Sequence, residues 1–205
     1  MSRKQISVLL MSWLISLQTL AVDNLYTIFS VTHSDVEFIQ NSKQGVGYKM
    51  ALGYQIAPQW YLEVGYHQLT HDTLYTTGLP TAANVTHNID LQQGDALFLS
   101  FLGKASGPVG ELFYRLGVLK TDIRGQQFLS GVSECQFGQA KALTIDDFGL
   151  VTMCDYDESA VAGVIGLGFD YFIGARTMLR TEIEYIKGQG NLAVTTASIG
   201  LRYNF

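Results

Sequence analysis

The sequence predicts an all-β chain, an antiparallel up-and-down β-barrel of about eight strands that crosses a membrane. Three observations predict it. Segments of strand length alternate bulky apolar residues with small or polar ones. The joins between them alternate long and short. Charged residues make up 15% of the 205 residues, against roughly 25% in soluble domains, so the surface has little with which to hold water.

In chain order, the first element is an export signal. Ser2, Arg3 and Lys4 form a basic start, 6–20 an apolar run, and Thr19-Leu20-Ala21 a small-residue cleavage site. Residues 1–21 are expected to be removed, leaving 22–205 as one barrel domain. Strands are expected over 25–32, 45–56, 60–69, 90–104, 110–121, 160–173, 177–187 and 192–205. The stretch 161–173 is the best later candidate for a spanning helix, but it holds three glycines and Asp170. The joins 33–44, 70–89 and 122–159 are long; 57–59, 105–109 and 174–176 are short, and 188–191 is a short join on the long side. Pro58 and Pro108 fall in the tight joins, where a missing N–H costs nothing.

Parity within the strands separates two faces. The segment 45–56 sets Val46, Tyr48, Met50, Leu52, Tyr54 and Ile56 against Gly45, Gly47, Lys49, Ala51, Gly53 and Gln55. The segment 160–173 sets Val161, Ile165, Leu167, Phe169, Tyr171 and Ile173 against Ala160, Ala162, Val164, Gly166, Gly168 and Asp170. A soluble barrel would alternate too, with long charged side chains on the wet face. Here the polar face is mostly Gly, Ala, Ser and Thr with sparse charges, which suits a narrow lumen and turns the bulky face to lipid. Tyr54, Trp60, Phe101, Tyr171, Tyr203 and Phe205 then form one aromatic girdle, and Tyr48, Tyr66 and Tyr185 the other. Lys120 and Lys187, on the lipid parity, fall at the rim. There they can snorkel to head groups and avoid the ~2–4 kcal/mol of a midplane charge.

The carboxyl end carries a more specific pattern. Ser198, Gly200, Leu201, Tyr203 and Phe205 resemble the terminal assembly signal of outer-membrane barrels: a polar residue, glycine, an apolar position, then an aromatic two before a terminal phenylalanine. With the export signal, the strand count and the loop asymmetry, the whole of 22–205 resembles the small OmpA/OmpX-type family of eight-stranded, porin-like or opacity-type barrels. The resemblance implies a bacterial outer-membrane location with both termini in the periplasm and the long loops outside. It also implies the barrel-assembly machinery and outer-membrane lipid as partners. The segment 122–159 exceeds the outer loops of compact members.

The candidate chemistry lies in two places. Lys49, Glu63, Glu111, Arg115, Asp170, Arg180, Glu182, Glu184 and Arg202 share the lumen parity and nearly balance in sign. They are expected to form an ion-pair network filling the interior, with a gated small pore as the alternative. Mirroring strands about Ala175 sets Asp170 opposite Arg180. Cys135 and Cys154, the two cysteines, fall in 122–159 and read as a disulfide in an exported chain, worth about 3 kcal/mol in a chain-entropy treatment. No Cys-x-x-Cys spacing suggests zinc. Asp146, Asp147, Asp155, Asp157 and Glu158 lack the ordered spacing of a calcium loop. Phe128, Leu129, Phe137, Ile145, Phe148 and Met153 predict that this segment folds, as a hairpin above the membrane.

Lipid deacylases and palmitoyltransferases also use small barrels, which makes a lipid-modifying enzyme the third reading. The histidines are His33, His67, His71 and His87, and His33-Ser34-Asp35 is the one tight set with a nucleophile. No cofactor or metal site is expected, and a net charge of -5 gives no footprint for nucleic acid. The leading reading is a non-catalytic barrel that presents surface loops for attachment to a host, matrix or other extracellular ligand.

Overall fold

The computed structural model describes residues 24–38, 41–71, 90–132, 134–135, 138–145, 149–189 and 191–205. The expected export signal, His87, Phe137, Asp146, Asp147 and Phe148 lie outside them. Nine strands occur among the described residues: β1 Leu25–Phe38, β2 Asn41–Ala57, β3 Trp60–Thr70, β4 Asp90–Ser106, β5 Gly110–Ser130, β6 Gln139–Ile145, β7 Gly149–Phe172, β8 Thr177–Gly188 and β9 Ala193–Asn204. Every neighbour is antiparallel. β1 pairs with both β2 and β9, and β5 pairs with β7, so eight strands close into a ring with no free edge. β6 stands outside the ring, against β7 alone.

The register fixes the barrel's shape. Cross-strand partners lead from Thr27 through Leu52, Val64, Leu99, Val118, Gly163, Lys187 and Ala193 back to β1 at Glu37. One circuit therefore climbs ten residues along the strand, a shear that tilts eight strands by about 40° to the axis. Side chains fill an eight-stranded interior of this kind.

The faces follow the parity of the sequence. Leu52, Val64, Leu97, Val118, Leu167 and Ile183 point out and are exposed, while Lys49, Ala51, Ser100, Asp170 and Thr196 point in and are buried. The outward wall is an apolar belt, and polar backbone survives in lipid only in such a closed ring. The chain is a transmembrane β-barrel. At the end bearing the short turns, Trp60 stacks on Phe101 at 4.9 Å and Tyr203 meets Phe205 edge-on at 5.4 Å. At the other end Tyr48 and Tyr66 lie 5.7 Å apart. Both aromatic girdles lie on the outward face.

The inward face departs from the expectation of small residues with sparse charges. Tyr26, Tyr61, Phe98, Leu102 and Phe113 are also buried there. Two glycines make the room: a Cβ on Gly53 would lie 2.0 Å from the Tyr26 ring, and one on Gly168 would lie 2.4 Å from the Phe113 ring. The strands also outrun the expected segments. β1 and β2 keep pairing to Phe38↔Asn41, across what reads in sequence as the join 33–44. β5 and β7 keep pairing to Ser130↔Val151. Beyond the apolar belt both faces meet water, so the alternation of hydrophobicity fades while backbone pairing continues.

Candidate functional site

Two regions have enough built chemistry to carry function: the lumen, and the sheet that rises from the long-strand end.

In the lumen, the register puts Asp170 opposite Arg180, and their side chains meet at 2.6 Å. Glu63 on β3 is the hub. Its carboxylate accepts from Arg115 Nη2 at 2.6 Å, Arg180 Nη1 at 2.8 Å and the Tyr26 hydroxyl at 2.7 Å. Lys49 donates to Glu182 at 2.6 Å and Glu184 at 2.8 Å, and Arg115 Nε donates to the same Glu182 at 2.6 Å. Towards the turns, Arg202 bridges Glu111 at 2.7 Å and Asp170 at 3.0 Å. The structure thus brings all nine sequence-selected lumen charges into one connected set.

A tenth member was missed. Lys104 donates to Asp170 at 3.0 Å and Glu111 at 3.2 Å, which makes five cations facing five carboxylates. Its parity with Ser100 and Leu102 was the signal that could have found it. The aromatic rings add a second partner to the cations. Lys104 sits 4.4 Å from the Tyr61 centroid, Arg180 4.4 Å from Phe113 and Arg202 4.0 Å from Tyr26. Nearer the long-strand end the interior loses its charges, with Val36, Leu69, Ile123, Ile186, Leu192 and Val194 buried beside Ser34, Thr70, Gln92, Thr121 and Thr196. A charged layer and an uncharged layer of mixed apolar and polar side chains therefore stack along the axis.

The second region is built on the surplus length of β5 and β7. Lys120 and Lys187 mark the rim of the apolar belt. β5 runs ten residues past Lys120, about 25 Å along the axis at this tilt. β8 ends opposite Ala162, which leaves the upper edge of β7 free for β6: Gln139↔Asp155 through Ile145↔Gly149. Cys135 and Cys154 are joined by a disulfide that ties the approach to β6 onto β7. Gly138 follows with φ +79 and its Cβ position 2.2 Å from the Asp155 carbonyl, a place only glycine can take. Phe128, Val151, Met153 and Cys154 are buried in this sheet. Arg124–Asp157 at 3.2 Å and Lys141–Asp155 at 3.5 Å are ion pairs on its surface, and Ser159 hydrogen-bonds Asp122. The segment 122–159 is thus a three-stranded sheet over much of its length.

The candidate catalytic set does not converge. His33 and Asp35 lie on the outward parity of β1, whereas Ser34 is buried in the lumen, where its hydroxyl meets that of Thr196 at 3.1 Å. His67 is buried inside the barrel. Among the described residues no group of three His, Cys, Asp or Glu side chains is placed to hold a metal.

Of the terminal motif, Tyr203 and Phe205 face outward in the lower girdle, and β9 closes the ring by pairing with β1 from Tyr26↔Asn204 to Glu37↔Ala193.

A family model described as the outer membrane protein beta-barrel domain matches residues 7–205. No curated protein matches by sequence. Among solved structures, the chain is similar to Neisserial surface protein A at 14% identity, TM-score 0.57, covering 88% of this chain and 97% of that one. It is also similar to Ail, the attachment invasion locus protein of Yersinia pestis, at 14% identity and TM-score 0.53, covering 89% and 99%. At such identities the likeness is one of fold.

Proposed function

The chain belongs to the outer-membrane β-barrel family, and from that premise we propose that it is a closed, non-catalytic anchor that holds a disulfide-braced sheet outside the bacterial cell for attachment to an extracellular ligand. The observation that carries this reading is the continuation of β5–β7 pairing from the belt to Ser130↔Val151, with β6 and the Cys135–Cys154 bond added where no barrel strand is needed. Strand pairing beyond the membrane adds nothing to closure in lipid. Its physical effect is to preorganise a surface, which lowers the entropy lost on association. The sheet is the outward end in this reading, and both termini lie in the periplasm.

The lumen supports the same reading. Five cations balanced by five carboxylates, capped by an uncharged layer, leave the interior occupied by side chains. Such a network holds the wall and resists ion passage. Ail is the attachment invasion locus protein of Yersinia pestis, and the shared fold suits the same use in this chain.

The test joins Thr121 directly to Ala160 through an Asn-Gly turn, so that the whole of 122–159 is removed and the barrel kept. Cells bearing this protein should lose most attachment to host cells and matrix-coated surfaces at unchanged outer-membrane level. Attachment equal to the parent would place the binding surface elsewhere.

A further inference from the structure

Lys120 and Lys187 are unlike the other strand lysines and arginines whose side chains are described. Each lumen cation holds a carboxylate, and so do Arg124 and Lys141 of the sheet. Lys120 and Lys187 hold none among the described residues, and both are exposed on the lipid-facing wall. The carboxylates nearest Lys120 in the pairing pattern, Asp95 and Asp122, are engaged by Tyr66 at 2.6 Å and by Ser159.

The register sets the two lysines level. Lys120 is opposite Val161 and Lys187 opposite Gly163, a stagger of two positions across β7. A partner line that climbs ten residues in eight strands climbs about 2.5 residues in two, which cancels that stagger to within roughly half a residue. At the usual strand spacing the two Cα atoms are about 12 Å apart.

Below each ammonium, towards the membrane interior, the wall is grooved. Under Lys120 a groove of 320 Å³ runs between Leu97, Leu99, Val118 and Val161. Under Lys187 a groove of 360 Å³ runs past Leu116, Ile165 and Tyr185 with Gly163 in its floor. A Cβ on Gly163 would meet nothing nearer than 4.0 Å, so this glycine leaves open space where every other residue would put a side chain.

We propose that this wall binds one membrane glycolipid whose headgroup carries two phosphates, each lysine pairing one phosphate while the acyl chains lie in the two grooves. Two lysines whose Cα atoms stand level and about 12 Å apart can bring their ammonium groups to both phosphates of one headgroup at once. A lipid with a single phosphate engages only one of them. A charge-assisted N–H···O contact at the rim also supplies the counter-ion that neither lysine finds in the protein. The site rests on the orientation proposed above, with the sheet end outward, and is independent of attachment by the sheet.

Protein extracted from membranes in a neutral detergent is titrated with bisphosphorylated lipid A, its monophosphorylated form and phosphatidylglycerol, and the complexes are counted by native mass spectrometry. One lipid A per barrel is expected. Lys120→Ala or Lys187→Ala should each weaken it about tenfold, and the arginine variants should retain it. The monophosphorylated form should lose a similar factor, and Gly163→Leu should weaken binding with no charge changed. Lys141→Ala serves as the control and should change nothing. Undiminished binding by the folded double-alanine protein would overturn the proposal. So would phosphatidylglycerol bound equally tightly through the same lysines, which would be diffuse attraction to any anionic lipid.

Discussion

Glu63→Ala removes the hub of the lumen network. The carboxylate is fully buried and serves two guanidiniums and a phenol at 2.6, 2.8 and 2.7 Å. Deleting one partner of a buried ion pair typically costs about 3–5 kcal/mol, because the remaining charge stays buried without its counter-ion. Three donors lose an acceptor here, but Arg115 keeps Glu182 and Glu184, and Arg180 keeps Asp170. The loss should therefore stay within the single-pair range, about 4 kcal/mol, or close to three powers of ten in the folded-to-unfolded ratio. Trp60 is the one tryptophan after residue 21 and sits in the lower girdle, so its fluorescence reports urea unfolding in lipid vesicles. A double-mutant cycle with Arg180→Ala should show coupling of at least about 1 kcal/mol. A Glu63→Ala protein within about 1 kcal/mol of the parent, or strict additivity in the cycle, would refute the description of Glu63 as the hub.

Removing Phe205 should block assembly while export continues, as seen by loss of the heat-modifiable band with precursor processing intact. Replacing Cys135 and Cys154 with serine should leave membrane insertion unchanged, because closure of the ring does not involve them. Protease nicking within 131–148 should rise in that protein, with attachment falling in parallel. Gly53→Leu should cost about 1–3 kcal/mol by driving the Tyr26 ring off Glu63, measurable in the same urea titration.

The ring was legible in the sequence because lipid on one side and a narrow lumen on the other force strict alternation, as in Val46 to Ile56 and Ile199 to Phe205. Asp170 facing Arg180 was legible for a similar reason: a short turn fixes its own register. Beyond the belt the disulfide and a folded hairpin were legible, but the strand bounds were not. In β1, Ser34 and Val36 are both buried between His33, Asp35 and Glu37, so burial keeps its period while polarity does not. β6, with Gln139, Lys141 and Thr144, has no apolar stripe to announce it and exists because the upper edge of β7 lacks β8. The inward aromatics were hidden differently. Tyr26 and Phe113 need Gly53 and Gly168, which are distant in sequence and become neighbours only when the strands pair in this register.

In the proposed function the barrel is an anchor rather than a passage, and electrical recording of the purified protein in a planar bilayer tests that most directly. The ion-paired layer and the side-chain-filled uncharged layer above it predict baseline current across ±100 mV, about 2.3 kcal/mol per elementary charge, with no unitary steps. A steady, ohmic conductance from the intact protein would contradict it and make the lumen the working part.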